Sequence, residues 1–201
     1  MTEAFTIQNA LSAALGIGVA AACGFRVFVP LLVVGLASRF GHLPLSPGAV
    51  WLSATPALVV LGTATLLEVA AYSIPWLDHV LDLVATPAAV LAGVVASAAF
   101  ITDVPPLLKW AMALIAGGGV AGVVQGATVL ARVKSTATTG GLANPLFSAV
   151  EFCSAVLTTV LAIVVPLLVL LLVIGFCFLV FKLAGHFAFG RRAAEASRPR
   201  N

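Results

Sequence analysis

The chain has 201 residues, 62% of them hydrophobic and 8% charged, with a net charge of +3 and a mean hydropathy of +1.18. That content excludes an ordinary soluble domain and leaves room for one compact transmembrane domain, residues 1–189, followed by a basic tail at 190–201. Five of the ten Lys and Arg follow residue 181: Lys182, Arg191, Arg192, Arg198 and Arg200. The cluster reads as a cytoplasmic tail facing anionic lipid. Nucleic-acid binding, the other use of a basic tail, has no aromatic or motif context here.

The start, MTEAFTIQNA, is polar and acidic and lacks a basic n-region, so the first apolar run is expected to be retained as a span. Ser46-Pro47, Thr55-Pro56, Thr86-Pro87 and Asn144-Pro145 each place a capping residue before Pro, the pattern of a helix start. The predicted spans are about 9–39, 56–73, 87–102, 106–133, 145–165 and 167–189. A span needs about 20 apolar residues. The first is too long for one straight crossing, and Gly24 and Pro30 are expected to bend or break it. The stretch from Pro145 to Phe181 carries one charge, Glu151, and Pro166 marks either a tight hairpin, the favoured reading, or a kink in one long helix. The segment 47–54 reads as a surface turn or short helix. Trp76 to Ala85 is amphipathic, with Asp78, His79 and Asp82 on one face, and fits either an interfacial helix or a plain connector.

The fold class is therefore an all-α polytopic membrane helix bundle of about six spans. Six crossings put both termini on one side. The basic tail makes that side cytoplasmic, with Arg132 and Lys134 also inside and only Arg39 and Lys109 outside. The halves 9–102 and 106–189 echo one another: GIGVAAACGF (16–25) resembles GGGVAGVVQG (117–126). Three spans per half would make an inverted repeat of the transporter kind, and chance similarity of Gly- and Ala-rich segments is the rival reading.

Glu68 and Glu151 are lone carboxylates inside long apolar segments, and Arg26 is the deep cation. A charge at the bilayer centre costs about 3 kcal/mol on insertion scales, so each needs a partner, a proton or water. Asn144, Ser148, Glu151, Ser154 and Thr158 form one polar stripe on the fifth helix. Thr65, Glu68 and Tyr72 form a shorter one on the second, and Gln125, Thr128 and Arg132 another on the fourth. Ser12, Gly16, Cys23 and Arg26 make a small-to-polar face on the first. These faces should converge, either as a hydrated pathway or ion site or as a lock between helices. If Arg26 reaches Glu68, Glu151 is the surplus acid, left to bind a proton or cation unless Arg132 reaches in. The GGG run at 117–119 invites close helix packing; a break point that binds an ion through freed carbonyls is the alternative. Residues 135–145 read as a polar loop, with a re-entrant segment or an anion site at Asn144 as alternatives.

Cys23, Cys153 and Cys177 are odd in number, have no CxxC spacing and read as buried hydrophobes. The three His are isolated, and no HExxH, GxSxG, P-loop or two-metal carboxylate cluster appears. Neither an enzyme, a metal nor a cofactor is expected. The expected partner is the lipid bilayer, with a homo-oligomer left open.

The segments 67–93 and 116–145, with GFRVFVP (24–30) and AVEF (149–152), resemble bacterial membrane proteins catalogued as domain-of-unknown-function family 4126. The resemblance covers roughly residues 10–170 and rests on Glu68, Ile74-Pro75 and Thr138 to Pro145. It implies a small polytopic membrane protein and brings no activity with it. One branch of that family has Asp-Lys before Ile-Pro; here Tyr72-Ser73 stand there, which puts a charge-dependent role for that turn in doubt. The functional expectation is a small transporter or channel of the inner membrane, its intramembrane carboxylates serving as a proton or cation site. The alternative is a scaffold or lipid-organising protein whose polar stripes only bind helices together.

Overall fold

A computed structural model describes the backbone of residues 7–71, 75–102 and 104–196, and the side chains of these apart from 75–82 and 186–196. Tyr72 and the polar face at Asp78, His79 and Asp82 lie outside the described side chains, as does the basic cluster from Arg191.

The described chain is all helix and turn. In order, its elements are α1 (Ile7–Cys23), α2 (Phe28–Arg39), a 3-10 turn (Val50–Ser53), α3 (Thr55–Ala71), α4 (Pro75–Ala98), α5 (Pro106–Met112), a π turn (Ala113–Gly118), α6 (Gly119–Thr139), α7 (Asn144–Val164) and α8 (Pro166–Ala196). α5, the π turn and α6 form one continuous 34-residue rod. Among the described residues, three helices are long and apolar enough to cross a membrane: that rod, α7, and Pro166–Gly185 of α8. Four shorter apolar helices accompany them: Ile7–Cys23, Phe28–Arg39, Thr55–Ala71 and Leu83–Ala98. The molecule is a multi-pass membrane-type bundle whose lipid-facing surface is rich in exposed Leu, Val and Phe.

Proline stands in the first two positions of five helices, with α4 and α8 beginning at Pro75 and Pro166 themselves. Thr55-Pro56 and Asn144-Pro145 open α3 and α7 as expected, and Pro106 opens α5. Before Pro166, Val165 is forced out of the helical region (φ −137°, ψ 70°) and ends α7. Two expected starts fail. Ser46-Pro47 leads into a turn and then the 3-10 segment, and Pro87 lies inside α4. The amphipathic segment 76–85 is thus the first part of α4, continuous with the third span and not a separate connector. A Pro inside a helix forfeits one backbone hydrogen bond, a loss that membrane helices absorb through neighbouring groups.

The first predicted span, 9–39, is broken as expected, but the chain turns back at the break. Near its start α1 shares a cleft with the segment just after the far end of α4 and with α5, lined by Asn9, Ala13, Thr102, Leu108 and Met112. α2 finishes at the same end of the bundle. The Arg39 guanidinium donates to the Thr55 hydroxyl at 2.9 Å, and the loop after α2 is tied down by Ser46 N–H to Ala99 O (2.8 Å) and by Lys109 Nζ to the Ser46 hydroxyl (3.2 Å). α1 and α2 therefore form a helical hairpin that enters the bundle from the end near Thr55 and turns back inside it, with Gly24 to Val27 at the tip. The remaining elements run end to end: α3, α4, the α5–α6 rod, α7 and α8. Against the six expected spans, the described residues give three long apolar candidates and four shorter apolar helices. The reversal after Val165 is a true hairpin as well. Gly18 abuts Ala162 of α7 and Val169 of α8, and Phe25, at the hairpin tip, lines one cleft with Thr158 and Phe176. This settles 145–189 as two helices.

Small residues let the helices approach closely. A Cβ on Gly117 would lie 2.5 Å from Ser97 Cβ and 2.6 Å from Gly93 O, so the rod and α4 touch backbone to side chain at its π turn. The GGG run is thus a packing face, and it also carries the helix irregularity, since the π turn ends at Gly118. The expected polar loop 135–145 is shorter than anticipated. α6 stays helical to Thr139, Gly140 and Gly141 take left-handed conformations (φ 63° and 89°), and α7 starts at Asn144.

The echoing segments 16–25 and 117–126 lie side by side and run the same way. Gly16 and Gly117 both pack on Ser97, and Gly24 packs on Ala121 and Val124. α3 and α7 run in opposite directions, as do α4 and α8. The directions are therefore mixed, inverted in the last two helices of each half and parallel in the first.

Candidate functional site

The hairpin tip brings the deep charges together. Arg26, between α1 and α2, is 1% exposed; Glu68 on α3 is 7%, Arg132 on α6 is 4% and Glu151 on α7 is 4%. Three helices and the hairpin tip thus each present one ionisable residue to the interior. This is the arrangement that the cost of a charge in hydrocarbon demands.

The partnering differs from the expected one. Arg132 grips Glu151 with a fork: Nε donates to Oε1 at 3.0 Å and Nη2 donates to Oε2. Arg26 Nη2 stands 3.8 Å from the same Oε2 and donates to the Ser148 backbone O at 3.0 Å and to the Ser148 hydroxyl. Glu151 is therefore the acid held by two guanidiniums, and not the surplus one. A bidentate guanidinium–carboxylate pair supplies both charge and direction, which suits a lock between helices.

Glu68 is bound by backbone. Val27 N–H donates to its Oε1 at 2.9 Å and Phe28 N–H to its Oε2 at 3.4 Å. These are among the N–H groups that the start of α2 leaves without helical partners. A carboxylate at a helix N-terminus also faces the positive end of the peptide dipoles, an effect of about 0.3–1 kcal/mol and more when buried. The interruption at 24–27 thus creates a half-helix whose N-terminus lies inside the bundle, and Glu68 caps it. Thirteen residues separate Thr55 from Glu68, so at 1.5 Å per residue the carboxylate lies roughly 20 Å in from that end of α3. The Thr65 hydroxyl, one turn before it on α3, is buried and has no partner among the described residues.

Glu68 also helps wall a cleft of about 420 Å³ between α2, α3 and α4. The rest of its lining is apolar, including Val27, Phe28, Leu67 and Val84. Glu151 lines none of the clefts described.

The other sequence-predicted residues fall as follows. On α7 the buried face runs Asn144, Ser148, Glu151, Ala155, Thr159 and Ala162. The predicted stripe, by contrast, continued to Ser154 and Thr158. Those two are only half-buried, and Thr158 faces a second cleft of about 300 Å³ beside Phe25 and Phe176. The reason is helical pitch. The predicted spacing averages 3.5 residues per turn, and a straight helix at 3.6 drifts off such a line. Thr159 was missed for the same reason; it is fully buried and donates to Ala155 O at 2.7 Å. Asn144 is buried at the start of α7 and accepts from the Thr136 hydroxyl at 3.3 Å, so it ties the turn to α6. Gln125 is buried on α6, and the half-buried Thr128 donates to its carbonyl at 2.9 Å. Tyr72 lies outside the described residues. No group of three or more His, Cys, Asp or Glu gathers among the described residues.

No curated protein and no solved structure matches the chain. A match to one protein family spans residues 13–185, which takes in both hairpins, all four deep charges and the turn between α6 and α7. On that coverage, the chain belongs to the family described as a domain of unknown function, DUF4126.

Proposed function

We propose that the protein is a small transporter or channel of the bacterial inner membrane, that it is not an enzyme, and that Glu68 is its proton or cation site. One observation carries this reading: Glu68 both caps a half-helix that ends inside the bundle and walls an open cleft. Interrupted helices whose termini meet charge at depth are a recurrent way to build membrane transport sites, because irregular backbone is tolerated there only beside a cavity or protein. Neutralising or occupying Glu68 changes what holds the N-terminus of α2, and so links the carboxylate to hairpin position. The Arg26–Glu151–Arg132 cluster serves as the fixed counter-charge beside it. In the inverted-repeat part of this reading, α3–α4 and α7–α8 are the related pairs, and the first elements of the two halves have diverged in direction.

The test is flux of protons and small cations into liposomes containing the full chain. Wild type is expected to conduct or exchange one of them, and Glu68→Gln to lose that flux at least tenfold while staying folded. Equal flux in the two proteins would refute the assignment.

The orientation proposed is C-terminus cytoplasmic. The basic residues still divide seven to two, with Arg39 and Lys109 on the outside. Because the first hairpin does not cross, the N-terminus falls on the periplasmic side. An added N-terminal cysteine is expected to react with an impermeant maleimide in intact cells, and a C-terminal fluorescent reporter to fold in the cytoplasm. Both ends reporting one side would restore six crossings.

A scaffold is the second reading. The observation that favours it is the lock at Glu151, where two guanidiniums close on one buried carboxylate. Absence of any flux together with a folded Glu68→Gln protein would favour it.

A further inference from the structure

We propose that the cleft between α2, α3 and α4 binds a lipophilic organic cation, an apolar body carrying one positive charge, taken up from the membrane phase. This rests on the transport reading above and names the substrate class of the same site.

Three features of the cleft specify that chemistry. First, its volume of about 420 Å³ suits a molecule of drug-like size, for which pockets run from about 300 to 1,000 Å³. Second, its described wall is nearly all hydrocarbon with one carboxylate. A dehydrated metal ion takes about six or more oxygen ligands, and a sugar or peptide needs several hydrogen-bonding groups. Here one side chain, Glu68, supplies the polar contact among the described lining residues. An apolar body gains from burial against Val27, Phe28 and Leu67, and a single diffuse positive charge asks for one counter-charge, which Glu68 provides. Third, the cleft opens sideways. Leu67 and Val84 line it and are 65% and 64% exposed on the outer, apolar surface of the bundle. A ligand dissolved among acyl chains reaches Glu68 through this rim without passing the polar ends.

The two guanidiniums, Arg26 and Arg132, act on both acids, but they contact Glu151 directly and reach Glu68 only from further off, so Glu68 is the acid with room for another cation. Arg26 and Arg132 are both directed to Glu151, where they would repel a cation. Glu68 accepts its hydrogen bonds from neutral backbone N–H groups. A cation in the cleft would compete with a proton for this carboxylate, which gives exchange of one for the other a structural basis.

The test uses the purified full chain in lipid nanodiscs with tetraphenylphosphonium, tetraphenylborate and a neutral tetraphenyl compound as probes. Tetraphenylphosphonium is expected to bind saturably, with binding weakened at least tenfold in Glu68→Gln. It should weaken equally in Ala64→Phe, which fills the cleft and leaves the carboxylate and its backbone partners in place. Tetraphenylborate, of the same shape and opposite charge, should not compete. Equal binding of all three probes would overturn the proposal and make the cleft a groove for lipid acyl chains. Inorganic-cation flux that depends on Glu68 without tetraphenylphosphonium binding would overturn the substrate class and leave the transport reading standing. Saturable binding that needs Glu68, in a protein without flux, would uphold the cation site and overturn transport.

Discussion

Replacing Glu151 by Gln should destabilise the protein by about 3–5 kcal/mol, the loss typical of breaking a buried ion pair from one side. The change leaves Arg26 and Arg132 facing each other across the interior with no carboxylate between them. The backbone and hydroxyl of Ser148 keep their bonds to Arg26, but neither carries charge. Arg132→Gln should be costly too, and less so, because Arg26 remains near Glu151. In the double change, the deletions of Arg132 and Glu151 should cost less than their sum, since each alone strands a charge. Thermal unfolding in detergent, with the monodisperse fraction as a second readout, measures this. A Glu151→Gln protein with wild-type stability would mean that Glu151 is neutral in the folded state and that the fork from Arg132 contributes little.

Gly117→Val should be the next most damaging change. Its new Cβ would meet Ser97 Cβ at 2.5 Å and Gly93 O at 2.6 Å, and backbone cannot move aside as a flexible side chain can. Overpacking of this kind costs about 1–3 kcal/mol. Here it falls where the π turn, α1 and α4 meet, so the displacement would spread to the hairpin. Gly119→Val is the control, because the space around that glycine is open. It lies two residues along the same rod and should change stability by less than about 0.5 kcal/mol. Equal melting of the two variants would show that small size at Gly117 is not what sets the helix spacing.

These two changes also mark how far the sequence could be read. That Arg26, Glu68 and Glu151 lie inside was legible because the cost of a charge in hydrocarbon does not depend on fold details. Which acid meets which cation was not. That depends on the reversal at Gly24 to Val27, and a long apolar run reads the same whether it passes through or turns back. The sign available was Arg26 itself, placed mid-run between Gly24 and Pro30. Pro misled at Pro87, where a local preference for starting a helix lost to the continuity of α4. On α7 the error was one of pitch: Ser154 and Thr158 continue a 3.5-residue line, while the interior follows Ala155 and Thr159. The capping role of the α2 backbone toward Glu68 could not be read from residue types, since any sequence presents N–H groups at a helix start.

The account turns on Glu68 being the carboxylate that exchanges its charge while Glu151 stays locked between two guanidiniums. Infrared difference spectroscopy of the full chain in lipid, recorded across a pH step in light and heavy water, reads the protonation of buried carboxyls directly. The predicted result is a carboxyl band from the membrane interior that shifts in heavy water and vanishes in Glu68→Gln. The same band persisting in folded Glu68→Gln protein would contradict the account, for the exchanging acid would then be a carboxyl other than Glu68.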